Sequence, residues 1–225
     1  VMMLIFLLLL FFILPPITFP LTPTTTSFLF IFQIVLFFSF FSLLIPNPNN
    51  VEDNSSGVIA LLALADWVSQ QEGLKQQVQF VFFDNEELGL LGSGAQRWLW
   101  DKQQHPYAAA KIINLDCVSR GEVPLIVYHY EAALANAIQP ALQPFLPNAT
   151  PIDMTYLPLS DNYTFRDVQA IDITFADRSL LPGGYFIPRI HAPSDKDFHP
   201  ERLVKLIEGL AAFVDGEMKG KAGTN

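Results

Sequence analysis

Four short stretches of the chain carry the residue types that chemistry needs. Asp84-Asn85-Glu86-Glu87 closes an apolar run, Val78 to Asp84, and Asp116 stands near the end of a second, Lys111 to Cys117. Asp53 opens the stretch Asp53-Asn54-Ser55-Ser56-Gly57, and His191 lies in Arg189-Ile190-His191-Ala192-Pro193-Ser194-Asp195. Apolar runs that end in carboxylates bring anions to one rim of a sheet, where they repel one another. A bound cation removes that repulsion, and hard or borderline cations favour carboxylate oxygen and imidazole nitrogen. The same acids also suit the first turn of a helix, where the dipole favours negative charge. A loop histidine also suits plain solvation. From residue types alone both readings stand. The other histidines have no such company: His105 and His199 each precede proline, and His129 sits within a strand pattern.

The elements that must position these groups alternate. Ser55 or Ser56 is placed to cap a helix from Gly57 to Glu72, with Ile59, Leu62, Ala63 and Val68 on its buried side and Gly73 at its end. Val78 to Asp84 is a continuous run rich in Val and Phe, which predicts a central strand buried on both faces. Leu90 to Lys102 reads as a helix, Lys111 to Cys117 and Leu125 to Tyr130 as strands, and Glu131 to Gln143 as a helix. Ala170 to Ala176 is a further strand. Glu201 to Glu217 is an amphipathic helix with Pro200 at its first position. The order predicts an α/β fold of three layers: a mostly parallel, mixed sheet with helices on both faces. Ligands of such sheets sit outside the carboxyl ends of the strands.

The composition is uneven. Residues 1–50 contain no Asp, Glu, Lys, Arg or His, and hold 11 of the 20 Phe. All 35 charged residues, 13 basic and 22 acidic, lie beyond them. Met2 to Leu14 is one apolar run and Phe28 to Ile45 a second, with a Pro/Thr-rich connector between. The second, at 18 residues, is near the lower limit for crossing about 30 Å of hydrocarbon. We expect this segment to associate with a membrane, and the domain that follows to lie outside the cytoplasm. A piece of a longer chain or a misread frame is the competing account. Orientation is not encoded, because the first basic residue is Lys75 and the positive-inside rule has nothing to act on. The turn-rich Pro46-Asn47-Pro48-Asn49-Asn50 marks a boundary between residues 1–50 and a domain at residues 51–225. A net charge of -9 with no basic patch argues against a nucleic-acid partner. A single Cys117 excludes a disulfide framework and a thiolate zinc cluster.

Taken together, the motifs resemble those of metallopeptidase family 28 (clan MH), the co-catalytic zinc aminopeptidases and their relatives. The family shows D-N-x-S-G, then F-x-x-F-D-x-E-E-x-G-L-x-G-S, matched by Asp53 to Gly57 and by Phe80 to Ser93. It continues with N-x-D, matched by Asn114-Leu115-Asp116, and S-D-x-x-x-F, matched by Ser160 to Phe165. It ends with a histidine before a small-residue, Pro and Asp loop, matched by His191 to Asp195. The resemblance covers nearly all of the charged part and none of residues 1–50.

The resemblance implies roles. Asp53 is expected to bridge two zinc ions. Glu87 and His191 are the implied further ligands of one, and Asp116 of the other. Glu86 is the implied general base. Zinc lowers the pKa of water towards neutrality, and an adjacent unligated carboxylate can carry the proton to the leaving amine. Neighbouring Glu86 and Glu87 can divide these roles only if the backbone turns between them. One family element has no counterpart: an H-x-D motif upstream of the bridging Asp, whose His completes the second zinc site. Nothing upstream of Glu52 can bind metal, so the second site is expected to be incomplete. The implied activity is removal of N-terminal residues from peptides or proteins. A single-zinc glutaminyl cyclase-like enzyme and a membrane-anchored, non-catalytic binding module are the competing readings.

Overall fold

The structure, a computed structural model, describes residues 31–34, 48–129, 131–153, 159–180 and 183–222. The chain divides into two compact units, Val1–Pro48 and Asn49–Asn225. In the first, residues 31–34 are helical. The expected apolar runs otherwise lie outside the described residues, and no described helix is long and apolar enough to cross a membrane.

The second unit is an α/β domain. Its strands are β1 (Ile112–Leu115), β2 (Val123–Tyr128), β3 (Thr150–Asp153), β4 (Ala170–Arg178) and β5 (Tyr185–Phe186). The strand order is β1-β4-β2-β3, with β5 on β4. β1 pairs β4 and β2 pairs β3 in parallel, while β2 and β5 run antiparallel to β4. The sheet is thus mixed, with β4 in its interior.

Helices α1 (Gly57–Ser69), α3 (Ala133–Leu142) and α4 (Pro200–Ala222) cover one face. Strand alternation sends Ile171, Ile173 and Phe175 of β4 into their core, where they meet Leu64, Ile138 and Leu206. Helix α2 (Leu91–Lys102) belongs to the opposite side, where Trp100 packs with Tyr107, Phe165 and Ala170.

Three expectations are corrected. Val78 to Asp84 joins no ladder among the described residues. It keeps the side-chain alternation of a strand, with Phe80 against the main core and Val81 and Phe83 against the Trp100 cluster. Phe82 is exposed. The run of Val and Phe sets burial, whereas pairing needs a partner strand at its side. Helix α1 buries Ala60, Leu64 and Val68, while Ile59 and Leu62 face outward. Its sequence is apolar nearly all round, so periodicity does not choose a face. Finally, neither serine caps α1 through its side chain. Asn54 Oδ1 accepts the Gly57 N–H at 3.1 Å instead, and Ser56 Oγ accepts Val118 N–H at 3.0 Å.

Candidate functional site

The Asp53 loop is held by bonds that reach far along the sequence. Asn54 Nδ2 donates to the Leu115 carbonyl at 2.9 Å, and Asn54 Oδ1 accepts Cys117 N–H at 3.3 Å. The end of β1 and the Asp53 loop are thereby joined, which sets Asp53 beside Asp116. Gly57 has to be glycine, because a Cβ there would stand 2.3 Å from the Leu115 carbonyl oxygen. On its other side, the Asp195 carboxylate accepts Glu52 N–H at 3.0 Å and Asp53 N–H at 3.1 Å. That carboxylate belongs to the loop that carries His191.

Beneath this contact lies a buried ionic network. The Glu52 carboxylate accepts Ser119 N–H at 2.8 Å, Ser119 Oγ–H at 2.5 Å and Arg120 N–H at 2.7 Å. The Arg120 guanidinium lies 3.7 Å from Asp195 and donates to the Pro188 carbonyl. Burial raises the Glu52 pKa despite these bonds.

Glu86 and Glu87 sit in a single turn of 3₁₀ helix, Glu86–Leu88. Asn85 before it (φ 58°) and Gly89 after it (φ 88°) are left-handed. The chain therefore turns sharply as it leaves the extended segment, and Gly92 packs on the Asp84 backbone with no room for a Cβ. Asp84 itself is exposed, with its carboxylate accepting Asn85 N–H.

The structure brings together all five residues singled out from the sequence. Asp53, Glu86, Glu87, Asp116 and His191 line one cavity of about 260 Å³. His191 Nε2 lies 3.1 Å from Asp53 Oδ2 and 2.7 Å from Glu87 Oε1. Asp53, Glu87 and His191 form a group whose ligand atoms all lie within 4.8 Å of one another, and Asp53, Asp116 and Cys117 form a second. Asp53 is common to both. Asp116 is oriented by Ser160 Oγ, which donates to it at 2.8 Å and accepts from Asn114 Nδ2 at 2.7 Å.

The electrostatics are those of a site short of positive charge. Burial, then Asp116 and Glu87, push the Asp53 pKa up to about 7. Burial, then Asp116, Glu87, Asp161 and Asp53, push Glu86 up to about 8. Asp116 and Asp161 are raised as well, chiefly by burial. The donor set fits zinc: Asp53, Glu87 and His191 offer two carboxylates and an imidazole, leaving one position of a tetrahedral ion for another ligand. The repelling carboxylates are what a divalent cation neutralises. On the Asp116 side, among the described residues, Asp53 and Asp116 offer carboxylate oxygen, with the buried Cys117 thiol beside them.

Raised carboxylate pKa values fix a sign for stability. Folding here stabilises the protonated acids, so this contribution is full at pH values below the ordinary 3.8 and 4.5 and is lost as pH climbs through about 7 and 8. For these two groups, the thermal midpoint of metal-free protein should fall across that window. Saturating zinc should flatten the fall. Calorimetry across the pH series checks this, and a metal-free midpoint that climbs steadily to pH 8 would contradict it.

Several residues of the cavity were not singled out by sequence reasoning. Asp172 and Thr174 of β4 and Asn162 line it from within. The available signal was an Asp in the middle of an otherwise apolar strand. Cys117 also lines the cavity, beside Asp116. Glu52, Arg120 and Asp195 gave no local signal as a network, since their contacts span 68 to 143 residues.

The family model for Peptidase family M28 matches residues 45–214. A curated relative, the vacuolar membrane protease of Yarrowia lipolytica (strain CLIB 122 / E 150), is 31% identical over 104 residues, which is 45% of this chain and 10% of that protein. Among solved structures, the LapA aminopeptidase of Legionella pneumophila superposes with a TM-score of 0.59 at 17% identity. That match covers 73% of this chain and 46% of LapA. BSAP, a zinc aminopeptidase from Bacillus subtilis, gives 0.57 at 20% identity, over 73% of this chain and 41% of its own. The chain thus spans a tenth of the curated relative and under half of each solved structure. At these identities the two structures speak for the fold.

Proposed function

Because the chain belongs to peptidase family M28, a family of metallopeptidases, we propose that it is a zinc-dependent aminopeptidase that hydrolyses N-terminal peptide bonds. The observation that carries this reading is the convergence on Asp53: Glu87 and His191 meet it on one side, and Asp116 stands on the other. Asp53, Glu87 and His191 would hold one zinc ion. A second, more weakly held ion would rely on Asp53 and Asp116. When bound, zinc supplies Lewis-acid polarisation of the scissile carbonyl and a lowered pKa for water.

The remaining work belongs to the chain's own groups. Glu86 is the proton carrier. Its carboxylate takes the proton of the attacking water and returns it to the leaving amine. A pKa near 8 reflects burial of Glu86 first and then the neighbouring carboxylates, and a bound cation would lower it towards the range where a base works. Ser160 and Asn114 hold Asp116 in place. Asp195 holds Asp53 by its backbone.

The apolar runs of residues 1–45 would attach the chain to a membrane. Their charge-free composition supports this, as does the printed name of the Yarrowia relative.

The test uses the full chain, loaded with zinc, and peptides with free or acetylated N-termini. Release of the first residue from free N-termini only, lost on chelation and regained with zinc, is the expected result. The complete Asp53–Glu87–His191 set also suits a single-metal glutaminyl cyclase-like enzyme. In that case peptides beginning with Gln would yield a cyclised terminus and ammonia. No release and no cyclisation at full zinc occupancy would sink both enzymatic readings.

A further inference from the structure

We infer that the inner wall of the cavity, formed by Asp172, Thr174 and Asn162, receives a cationic side chain, so that the residue removed is Lys or Arg. The wall is a feature of the cavity alone, while the word "removed" rests on the aminopeptidase reading above.

Strand alternation puts the wall where it is. In β4 the odd positions Ile171, Ile173 and Phe175 enter the main core. The even positions Ala170, Asp172, Thr174 and Ala176 therefore face the other way. The register sets Asp172 between Asn114 of β1 and Val127 of β2, and sets Thr174 beside Leu125. Because β4 is interior, Asp172 is only 5% exposed and Thr174 only 2%, yet both line the cavity. Asn162, 1% exposed, closes the same wall from the turn after Ser160.

These groups have unused bonding capacity. Neither amide atom of Asn162 nor the Thr174 hydroxyl has a hydrogen-bond partner among the described residues. Asp172 accepts one bond, from Asn114 Nδ2 at 2.9 Å. Buried polar groups are ordinarily paired, and each orphan carries its desolvation cost with nothing in return. Two orphaned side chains, Asn162 and Thr174, beside the singly bonded Asp172 on one wall point to a ligand that brings the missing partners.

The charge of that ligand follows from what surrounds the wall. Among the residues lining the cavity, His191 is the one basic side chain, and it lies with Asp53 and Glu87. Burial raises the Asp172 pKa well above the usual carboxylate range, and Asp116, Asp161 and Glu86 add to the rise. Asp172 belongs to neither group of converging ligand atoms, so a metal at those positions leaves it without a direct counter-charge. An apolar side chain would leave all three groups unbonded, and an anionic one would be repelled. A neutral amide would satisfy Asn162 and Thr174 but would bring no counter-charge to support the ionised form of Asp172, which burial and the neighbouring carboxylates oppose. An ammonium or guanidinium group donates to all three. Val127, Leu159, Ile187 and Ile190 line the same space and suit the methylene stem of a long cation. The volume, about 260 Å³, is just below the range of about 300–1,000 Å³ for ligand clefts, which favours one side chain over a chain segment.

L-lysinamide and L-norleucinamide differ only by the terminal ammonium. Titration calorimetry on the zinc-loaded full chain should show lysinamide binding about 10- to 100-fold tighter, the range of a hydrogen bond to a charged group. Asp172→Asn keeps the shape and the Asn114 bond but removes the charge, and should erase most of that difference. Thr174→Val should weaken lysinamide more than norleucinamide, and it carries the test if the Asp172 variant does not fold. Lysyl substrates should be cleaved faster than norleucyl ones by the same factor. Equal binding of the two probes, binding of neither, glutaminamide binding as tightly as lysinamide, or discrimination that survives Asp172→Asn would overturn the inference. Selective binding of lysinamide without any release of N-terminal Lys would keep the subsite and reject the aminopeptidase reading. Release of N-terminal residues without discrimination would do the reverse.

Discussion

Glu86→Gln should lower the rate of N-terminal hydrolysis by roughly 10²- to 10⁴-fold, the contribution typical of a positioned general acid-base group, while zinc occupancy stays at the level of the unaltered protein. The substitution keeps size and shape and removes only the capacity to hold a proton in transit. Glu86 lies outside the Asp53–Glu87–His191 group, so the metal should not notice its loss. The substitution also removes one of the charges that raise the Asp172 pKa, so the folded protein should be no less stable. Glu87→Gln should behave differently, weakening zinc binding and rate together. If Glu86 were only a first-turn carboxylate serving the helix dipole, its loss would cost under about 1 kcal/mol of stability and leave turnover intact. Near-normal turnover at full zinc occupancy would therefore remove Glu86 from the mechanism.

His191→Ala should abolish tightly held zinc. Nε2 is the single nitrogen donor of its group and touches both carboxylates that share it. Without it the remaining ligands are oxygen, a weaker match to a borderline-soft ion. The loss should exceed the roughly 10- to 100-fold that follows removal of a residue merely supporting a ligand. Equilibrium dialysis with metal analysis reads it directly. His191 is more than half exposed, at 57%, so the substitution opens no core cavity and the thermal midpoint of metal-free protein should barely move. Unchanged zinc stoichiometry would show that the metal ligands lie elsewhere.

How much of this was legible depends on the range of the forces involved. Most of the helices and the strands β1, β2 and β4 could be read because each of these elements carries its own pattern. β4 is such a case, since Ala170 to Ala176 is apolar enough to declare itself. The short strand β3 could not be read. Thr150-Pro151-Ile152-Asp153 has no apolar run, and its place is given by pairing with β2. The segment Val78 to Asp84 shows the opposite failure, for its composition announces a strand and the ladder is absent. On α1, Ile59 and Leu62 are as apolar as Leu64, so only tertiary packing chose which to bury. The five residues that meet in the cavity could be picked out as motifs because carboxylates and histidine stand at element ends. Asp172, Asn162 and Thr174 could not, because they meet in one cavity from β4 and the turn after Ser160 rather than through any spacing along the chain.

The bonds from Asp195 to the backbone of Glu52 and Asp53 have a consequence for how the domain breathes. The amides of Glu52 and Asp53 end on the Asp195 carboxylate, and those of Ser119 and Arg120 end on the Glu52 carboxylate. Arg120 ties the same carboxylate of Asp195 to the Pro188 carbonyl. Opening any one of these contacts strips partners from the others, so the three segments form a single cooperative unit of local unfolding. Fluctuations that loosen His191 and those that loosen Asp53 are then the same event. A ligand that bridges Asp53 and His191 should therefore slow hydrogen exchange at the Glu52, Asp53, Ser119 and Arg120 amides together.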